Sequence, residues 1–496
     1  MTEMLAYILA AIGVAAAALL SVSRSHRTLQ ILSISHAGGC LTFVLYGLAY
    51  YSLPVYYGGG YLFIDHLGLY EAMIASAVFL LAAVYAGGYV EGLIEAKELK
   101  RENLRIFYVS FNLLLTVTLM CFFCDNLALF WIFTELTTFF SAVLIAILSS
   151  RKNVEASLRY VFVTSISMLV TFIGLIFLFA LTKHAFGEGT LTWTVLMAGA
   201  KALPPKLLAA SFILVFVGFA AKAGISPLHT WLPHAHGKAP SAVSAILSGT
   251  LLNVGIYGIL RMYAIVARTD AAETASRLMV GFGVLTVGIA AFTMLRQRNL
   301  KKLIAFSSIE HMGLMLVGIG VWTPAAVFWT LYHMLAHSLT KTLLFFSAGI
   351  LHRQYHSNKA EDMKDVFRLQ PVASLGLAVG ACAIGGMPPF PMFASKLMLL
   401  LQAWGYSGGV AFALLGLLLV ASASMAAYLV RLFSHVSEHE PGAHLREYRP
   451  NWTMEAPILL LVAALLAAGL FFPQWLGSVL EAVLGDLMLG GFSHGI

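Results

Sequence analysis

Apolar runs long enough to cross a lipid bilayer follow one another along almost the whole chain, and they restrict it to one class of fold. A helix needs roughly 20 apolar residues to span a hydrocarbon layer of about 30 Å. Runs of that kind lie near residues 3–22, 28–50, 68–90, 105–123, 126–148, 158–182, 207–233, 240–266, 274–295, 302–322, 324–350, 371–404, 409–434 and 455–473. They predict an all-α integral membrane protein with about 14 transmembrane helices. Only 11% of the residues are charged, against about 25% in an average soluble domain, so the membrane bundle is itself the folding unit and no extramembrane domain is expected. The opening stretch MTEMLAYILAAIGVAAAALLSV lacks a basic leader and reads as a retained first span.

The formal charge of +7 does not point to nucleic acid, because the basic residues sit in short connections such as RQRNLKK and LHRQYHSNKAEDMKDVFR. Most of the 30 Lys and Arg residues fall after odd-numbered spans, among them Arg24, Arg27, Lys97, Arg151, Lys301, Arg353 and Arg446. Arg261 is assigned to a span end on the opposite side. Positive charge accumulates on the cytoplasmic face, so this bias puts both termini on the outer, periplasmic side of a bacterial or archaeal plasma membrane. Cys40, Cys121, Cys124 and Cys382 are too few and too scattered for a disulfide framework, and the CxxC at Cys121 and Cys124 lies within a span, where packing is its expected role. No cofactor and no metal is assigned to the chain.

Two spans carry helix breakers beside a lysine. In GFAAKAGISPLHTWLP, Pro227 has no amide proton and its ring clashes with the carbonyl of Ala223, which predicts that the helix opens next to Lys222. In IGGMPPFPMFASK, Gly385, Gly386, Pro388, Pro389 and Pro391 interrupt the twelfth span just before Lys396. Broken backbone at membrane depth is tolerated only where protein or water satisfies it. Two broken spans five apart suggest two five-helix units, spans 4–8 and 9–13, of inverted topology. The expected organisation is residues 1–104 for spans 1–3, 105–266 and 274–434 for the two repeats, and 435–496 for a C-terminal span and tail.

Counting at about 1.5 Å per residue places further polar groups near mid-depth. Glu135 is close to the centre of span 5, Asn253 centres span 8 with Tyr257 and Arg261 following on roughly one face, and Glu310 and His311 centre span 10. In span 11, His333, His337 and Lys341 form one stripe at i, i+4 and i+8. A hydrogen-bonded tie between helices accounts for Asn253 or for a lone histidine equally well. A charged residue in hydrocarbon, however, costs about 2.5–3.5 kcal/mol on insertion scales, and a buried ion pair stabilises weakly, so Lys222 and Glu135 are expected to work. Imidazoles titrate near neutral pH, and a line of His, Lys and Glu joined by water would relay protons laterally at mid-depth, with Glu135 coupled to Lys222.

The runs GFAAKAGISPLHTWLPHAHGKAPSAVSAILSGTLLNVGIYGILR, KKLIAFSSIEHMGLMLVGIG and YHMLAHSLTKTLLFFSAG resemble the antiporter-like, proton-conducting membrane subunits. These include the L, M and N subunits of complex I, the large Mrp antiporter subunits and membrane subunits of group 4 hydrogenases. SSIEHMG and LSGTLLN look most like hydrogenase-4 component F. The resemblance covers roughly residues 60–435. It implies proton-translocating roles for Glu135, Lys222, Lys341 and Lys396, and a family position near the break for His229. It also implies other integral membrane subunits, a peripheral redox module (hydrogenase or NADH-, ferredoxin- or formate-linked) and lipid as partners. Asn253 departs from the pattern, because many respiratory members carry lysine there; a relay through this point needs water or a histidine such as His337. The rivals are an Mrp-type sodium/proton antiporter subunit, a redox catalyst in its own right, and a structural scaffold subunit with impaired translocation.

Overall fold

In the computed structural model the described residues are 5–489 apart from 24, 52, 58–59, 149 and 436–447; the basic loop residues Arg24 and Arg446 therefore lie outside them. The chain runs through α1 (Leu5–Val22), α2 (His26–Tyr50), a hairpin of β1 (Val55–Tyr57) and β2 (Leu62–Ile64), α3 (His66–Glu95), α4 (Leu104–Phe122), α5 (Leu127–Ala146) and α6 (Arg151–Phe186). It continues with the short α7 (Trp193–Gly199), then α8 (Pro205–Ala223), α9 (Leu232–Lys238), α10 (Ser241–Ile246), α11 (Leu252–Val266), α12 (Ala272–Met294) and α13 (Leu300–Val321). The last third holds α14 (Pro324–Tyr355), the one-turn α15 (Val366–Leu369), α16 (Pro371–Gly385), α17 (Pro391–Tyr406), α18 (Gly408–Ser434), α19 (Trp452–Leu470) and α20 (Gln474–Leu484).

The protein is a nearly all-helical, multi-pass membrane protein. Twelve helical stretches among the described residues are long and apolar enough to cross a bilayer, and Ala10–Val22 and Pro371–Gly385 are shorter apolar helices. The other two expected runs are present as α1 and as the twelfth, which is cut into α16 and α17. The hairpin, α7 and α20 were not foreseen, because none is a long apolar run.

Polar residues at the helix starts set where the chain enters each span. The Asn126 side chain accepts from the amides of Ala128 and Leu129, Asn299 from Lys302, and Thr323 from Ala326 with Pro324 in the first turn. Each such cap is worth about 1 kcal/mol because it satisfies a donor that has no partner in the helix.

Burial follows position in the bundle. The apolar window of Ser241–Val266 is wholly buried, and those of α13 and α14 nearly so. By contrast α6 exposes Leu158, Phe162, Ile166 and Ile173, side chains suited to lipid. The hydrophobic effect does not sort residues in lipid as it does in water; what is enclosed here is the polar set, on α11, α13 and α14. Arg261 belongs to it. Expected at a span end, it is buried and paired with Asp65, Nη2 lying 2.7 Å from the carboxylate.

Both breaks are present, but glycine rather than proline ends the helices. Gly224 adopts φ +74° and Gly386 φ +76°, left-handed conformations without penalty only for glycine. At each, the glycine amide and the following amide bond back to the last turn: Gly224 to Ala221 and Ile225 to Ala220, Gly386 to Ala383 and Met387 to Cys382. This is the Schellman stop. Pro227 and Pro389 come three residues later, and helical backbone resumes just beyond them, at Leu228 and at Pro391.

Candidate functional site

The sequence-predicted residues fall into two groups. The first surrounds Lys222, in the last turn of α8, where the negative end of the helix dipole favours a cation. Its ammonium donates to Thr137 Oγ1 at 2.7 Å, Thr138 Oγ1 at 2.8 Å, the Thr134 carbonyl at 3.3 Å and the Tyr160 hydroxyl at 3.4 Å. All these oxygens are neutral. The expected pairing with Glu135 is not formed: no carboxylate oxygen lies within 4.0 Å of Lys222 among the described residues. The reason is angular. Thr134, Thr137 and Thr138 lie on the inner face of α5, whereas Glu135, one residue from Thr134, turns to the side of the helix and accepts from Ser165 Oγ on α6 at 2.9 Å. Glu135 lines an open groove of about 670 Å³ between α5 and α6, with Trp131, Thr138, Ser157 and Ser165.

The second group is fully enclosed between α13, α14 and α17. Lys396 donates to Glu310 Oε1 at 3.1 Å and to the Ile384 carbonyl in the last turn of α16 at 2.8 Å. Gly386 makes room for the lysine stem, since a Cβ there would lie 2.9 Å from Lys396 Cδ. His311 Nδ1 and His333 Nε2 are 2.9 Å apart, and His333 Nδ1 is 2.7 Å from Ser395 Oγ. The other His311 nitrogen is 4.0 Å from Glu310 Oε2, and the ring of His337 lies 5.6 Å from that of His311. Lys341 donates to Ser307 Oγ at 2.5 Å and to the Ile304 carbonyl at 2.8 Å. Neither nitrogen of His337 has a hydrogen-bond partner among the described residues. Two lysines, three histidines and one glutamate thus share a buried volume on adjoining helices.

Asn253 adjoins this second group, donating to Ser338 Oγ at 3.3 Å, next to His337 in sequence. Its other partner was missed by sequence reasoning: Glu71 Oε2 on α3, 3.2 Å away and 1% exposed. The signal was a carboxylate inside LGLYEAMIASAVFLLA. Also missed was His236 on α9, buried, stacked on Phe345 and without a partner for either ring nitrogen among the described residues. His229 stands apart, half-buried at the break and 2.9 Å from Ser226 Oγ. The expected single line from Glu135 to Lys396 is therefore a threonine-held lysine and a separate buried cluster. No hydrogen bond among the described residues joins the two. The four cysteines are unpaired; Cys124 donates to the Met120 carbonyl and Cys121 lies 3.9 Å from Thr134 Oγ1.

Residues 124–422, which hold both groups apart from Glu71, match the family described as "NADH:quinone oxidoreductase/Mrp antiporter, TM". The chain belongs to this family. Among curated relatives of this antiporter-like subunit, the hydrogenase-4 component F homolog of Methylacidiphilum infernorum is 30% identical over 84% of this chain and 86% of that protein. An NAD(P)H-quinone oxidoreductase chain 4 of Trichodesmium erythraeum is 28% identical, covering 68% of this chain and 59% of that protein. Hydrogenase-4 component B of Escherichia coli is 26% identical over 67% of this chain and 49% of that protein. The chain thus spans only about half to three-fifths of the last two. Two solved structures share the fold over 97% of both chains. One is of the membrane-bound sulfane sulfur reductase, an archaeal respiratory membrane complex, with a TM-score of 0.83 at 24% identity. The other is of the Mrp complex from Dietzia sp. DQ12-45-1b, with a TM-score of 0.80 at 20% identity.

Proposed function

We propose that this antiporter-like subunit translocates protons within a redox-driven membrane complex of the hydrogenase-4 or quinone-oxidoreductase kind. In this reading it has no redox centre of its own and partners other membrane subunits and a peripheral redox module. The observation that carries the reading is the enclosed cluster of Glu310, His311, His333, His337, Lys341 and Lys396. Two contacts inside it, His311 to His333 at 2.9 Å and Lys396 to Glu310 at 3.1 Å, and those of His333 to Ser395 and Lys341 to Ser307 are short enough for proton hops along hydrogen bonds. Lys222 forms a separate loading site at the first break, and Glu135, open to the groove between α5 and α6, is where a neighbouring subunit's charge reaches the chain. His229 and the break at Gly224 give water access to Lys222.

The two breaks belong to two five-helix units, residues 105–266 and 274–434, flanked by residues 1–104 and 435–496, with both termini outside. Sodium transport is the weaker reading, because the enclosed cluster is rich in nitrogen while sodium favours oxygen ligands. The test is the intact complex reconstituted in vesicles with Lys341→Ala or Lys396→Ala. Electron flux with proton uptake reduced at least tenfold is the expected result. Full uptake at full flux in both variants refutes the proposal, and uptake that follows sodium instead transfers it to the antiporter reading.

A further inference from the structure

We infer that Glu71, on α3, is a proton-carrying group of the translocation line, occupying the junction at Asn253 where an amide alone holds no charge; this rests on the proton-translocating reading of the chain. The geometry places the carboxyl on the line rather than beside it. Glu71 Oε2 accepts from Asn253 Nδ2 at 3.2 Å, and the same nitrogen donates to Ser338 Oγ at 3.3 Å. Ser338 neighbours His337 on α14, and the His337 ring lies 5.6 Å from that of His311. Carboxyl, amide and hydroxyl therefore succeed one another from α3 to α14, where the Ser338 hydroxyl donates to the Met334 carbonyl and the next step to His337 needs a bridging water.

Three further observations separate this carboxyl from a packing residue. It is 1% exposed, yet among the described residues no cation lies within 4.0 Å of it and its Oε1 has no hydrogen-bond partner. Buried polar groups in folded proteins are nearly always partnered, so an orphaned carboxyl oxygen marks a place for a proton, a water or a passing charge. Asn253 Oδ1 is orphaned beside it, giving two unsatisfied oxygens at one junction. Lastly, Leu247–Leu251 form a π-helical turn immediately before Asn253. One extra residue in a turn rotates the helix beyond it by roughly 100°, so α11 aims Asn253 at α3 and α14, an orientation an uninterrupted helix from Ser241 would not give. Such wide turns are costly and concentrate where a side chain is re-aimed for use.

The consequence is that α3, outside both five-helix units, contributes a titratable group to the path and is more than a scaffold. The carboxyl holds and releases a proton without net chemistry, handing it through a bridging water toward His337.

The decisive experiment uses the intact complex in vesicles, with proton uptake measured per electron transferred. Glu71→Gln keeps the volume and the hydrogen bond to Asn253, so a structural role leaves uptake unchanged. A carrier role predicts at least a tenfold loss. The exchange Glu71→Gln with Asn253→Asp restores a carboxyl at the same junction from the opposite partner, and uptake should return to at least a third of the wild-type ratio. Full uptake in Glu71→Gln alongside an inactive Lys341→Ala overturns the inference and leaves the proposed function standing. Full uptake in both overturns the two together. Loss in Glu71→Gln that the exchange does not repair shows that a carboxyl at this junction does not suffice to carry the proton and also overturns it. If Glu71→Gln fails to assemble, the exchange variant alone decides on the same threshold.

Discussion

Removing the charge of Arg261 should destabilise the chain far more than its position near a span end suggests. Its guanidinium Nη2 is 2.7 Å from Asp65 and 2.8 Å from the Tyr257 hydroxyl, with both charged side chains nearly or fully buried. The same guanidinium lies 4.4 Å from the Trp193 ring centre, 4.8 Å from that of Tyr257 and 5.0 Å from that of Phe63. Asp65 also caps α3 through Gly68, and Tyr257 donates to the Phe122 carbonyl at the end of α4. One side chain thus ties β2, α3, α7 and α11. Arg261→Met leaves the Asp65 carboxylate buried and unpaired, which costs about 3–5 kcal/mol, with about 1–2 kcal/mol more from the lost ring stacking. Asp65→Asn keeps the cap but strands the guanidinium, at a similar cost of about 3–5 kcal/mol. The double variant removes both charges and should cost at least about 2 kcal/mol less than the two singles added together. Denaturant titration of the detergent-solubilised protein, followed by helical circular dichroism, measures all four corners of the cycle. Singles that each cost under about 1 kcal/mol, or strictly additive effects, would refute the reasoning.

Other expectations rest on local geometry. Gly386→Ala places a Cβ at positive φ and 2.9 Å from Lys396 Cδ, so it should lower stability by about 1–2 kcal/mol and proton uptake several-fold, whereas Gly60→Ala, with open space around it, pays only the backbone strain. Thr137→Val with Thr138→Val removes the two shortest bonds to Lys222; a fall in proton uptake with electron flux intact is expected, and unchanged uptake would show that these hydroxyls only fill space. Asp125, in the turn between α4 and α5, has its carboxyl pushed by burial up to about 6 from 3.8, against hydrogen bonds from Thr194. The folded state therefore binds more protons than the unfolded one between those values, so stability should fall as pH rises from about 4 to 6, by up to about 3 kcal/mol, and Asp125→Asn should flatten that slope.

The helices were legible because apolar length is a local property, and the two breaks were legible because glycine and proline are. Which residue made each break was less so: the clash of Pro227 was the obvious cause, yet Gly224 had already ended α8 through a left-handed cap that uses no proline. The directions in which the site residues point were not legible. Counting along α5 does not give the direction in which Glu135 points, and only one residue's rotation separates the inner face that carries Thr134 and Thr137 from the groove. Glu71 escaped for a related reason. It is the sixth residue of a 30-residue helix, longer than a bilayer is thick, so its distance from the helix start does not mark its depth. Its contact with Asn253, at the middle of Ser241–Val266, puts it at the depth of the line.

The two lysines at the breaks are held in opposite electrostatic settings, and in the proposed function this difference orders their work. Lys396 reaches back from α17 to the C-terminal end of α16 and meets both a carbonyl and the Glu310 carboxylate, so its charge is balanced where it sits. Lys222 sits at the C-terminal end of its own helix and meets only neutral oxygens, so no full charge within 4.0 Å among the described residues answers it. An arriving charge acts on either ammonium alike, but at Lys396 it acts with opposite sign on the paired Glu310 carboxylate, so its net effect on that pair is smaller than on the lone Lys222. Glu135, beside the groove and one residue from the Thr134 carbonyl that Lys222 contacts, is placed to transmit such an arrival. Placing a fixed carboxylate nearer, with Thr138→Asp, should therefore pin Lys222 and stop uptake, whereas Thr138→Asn should not. Equal uptake by the two variants in vesicles would remove the argument that Lys222 is the responsive member.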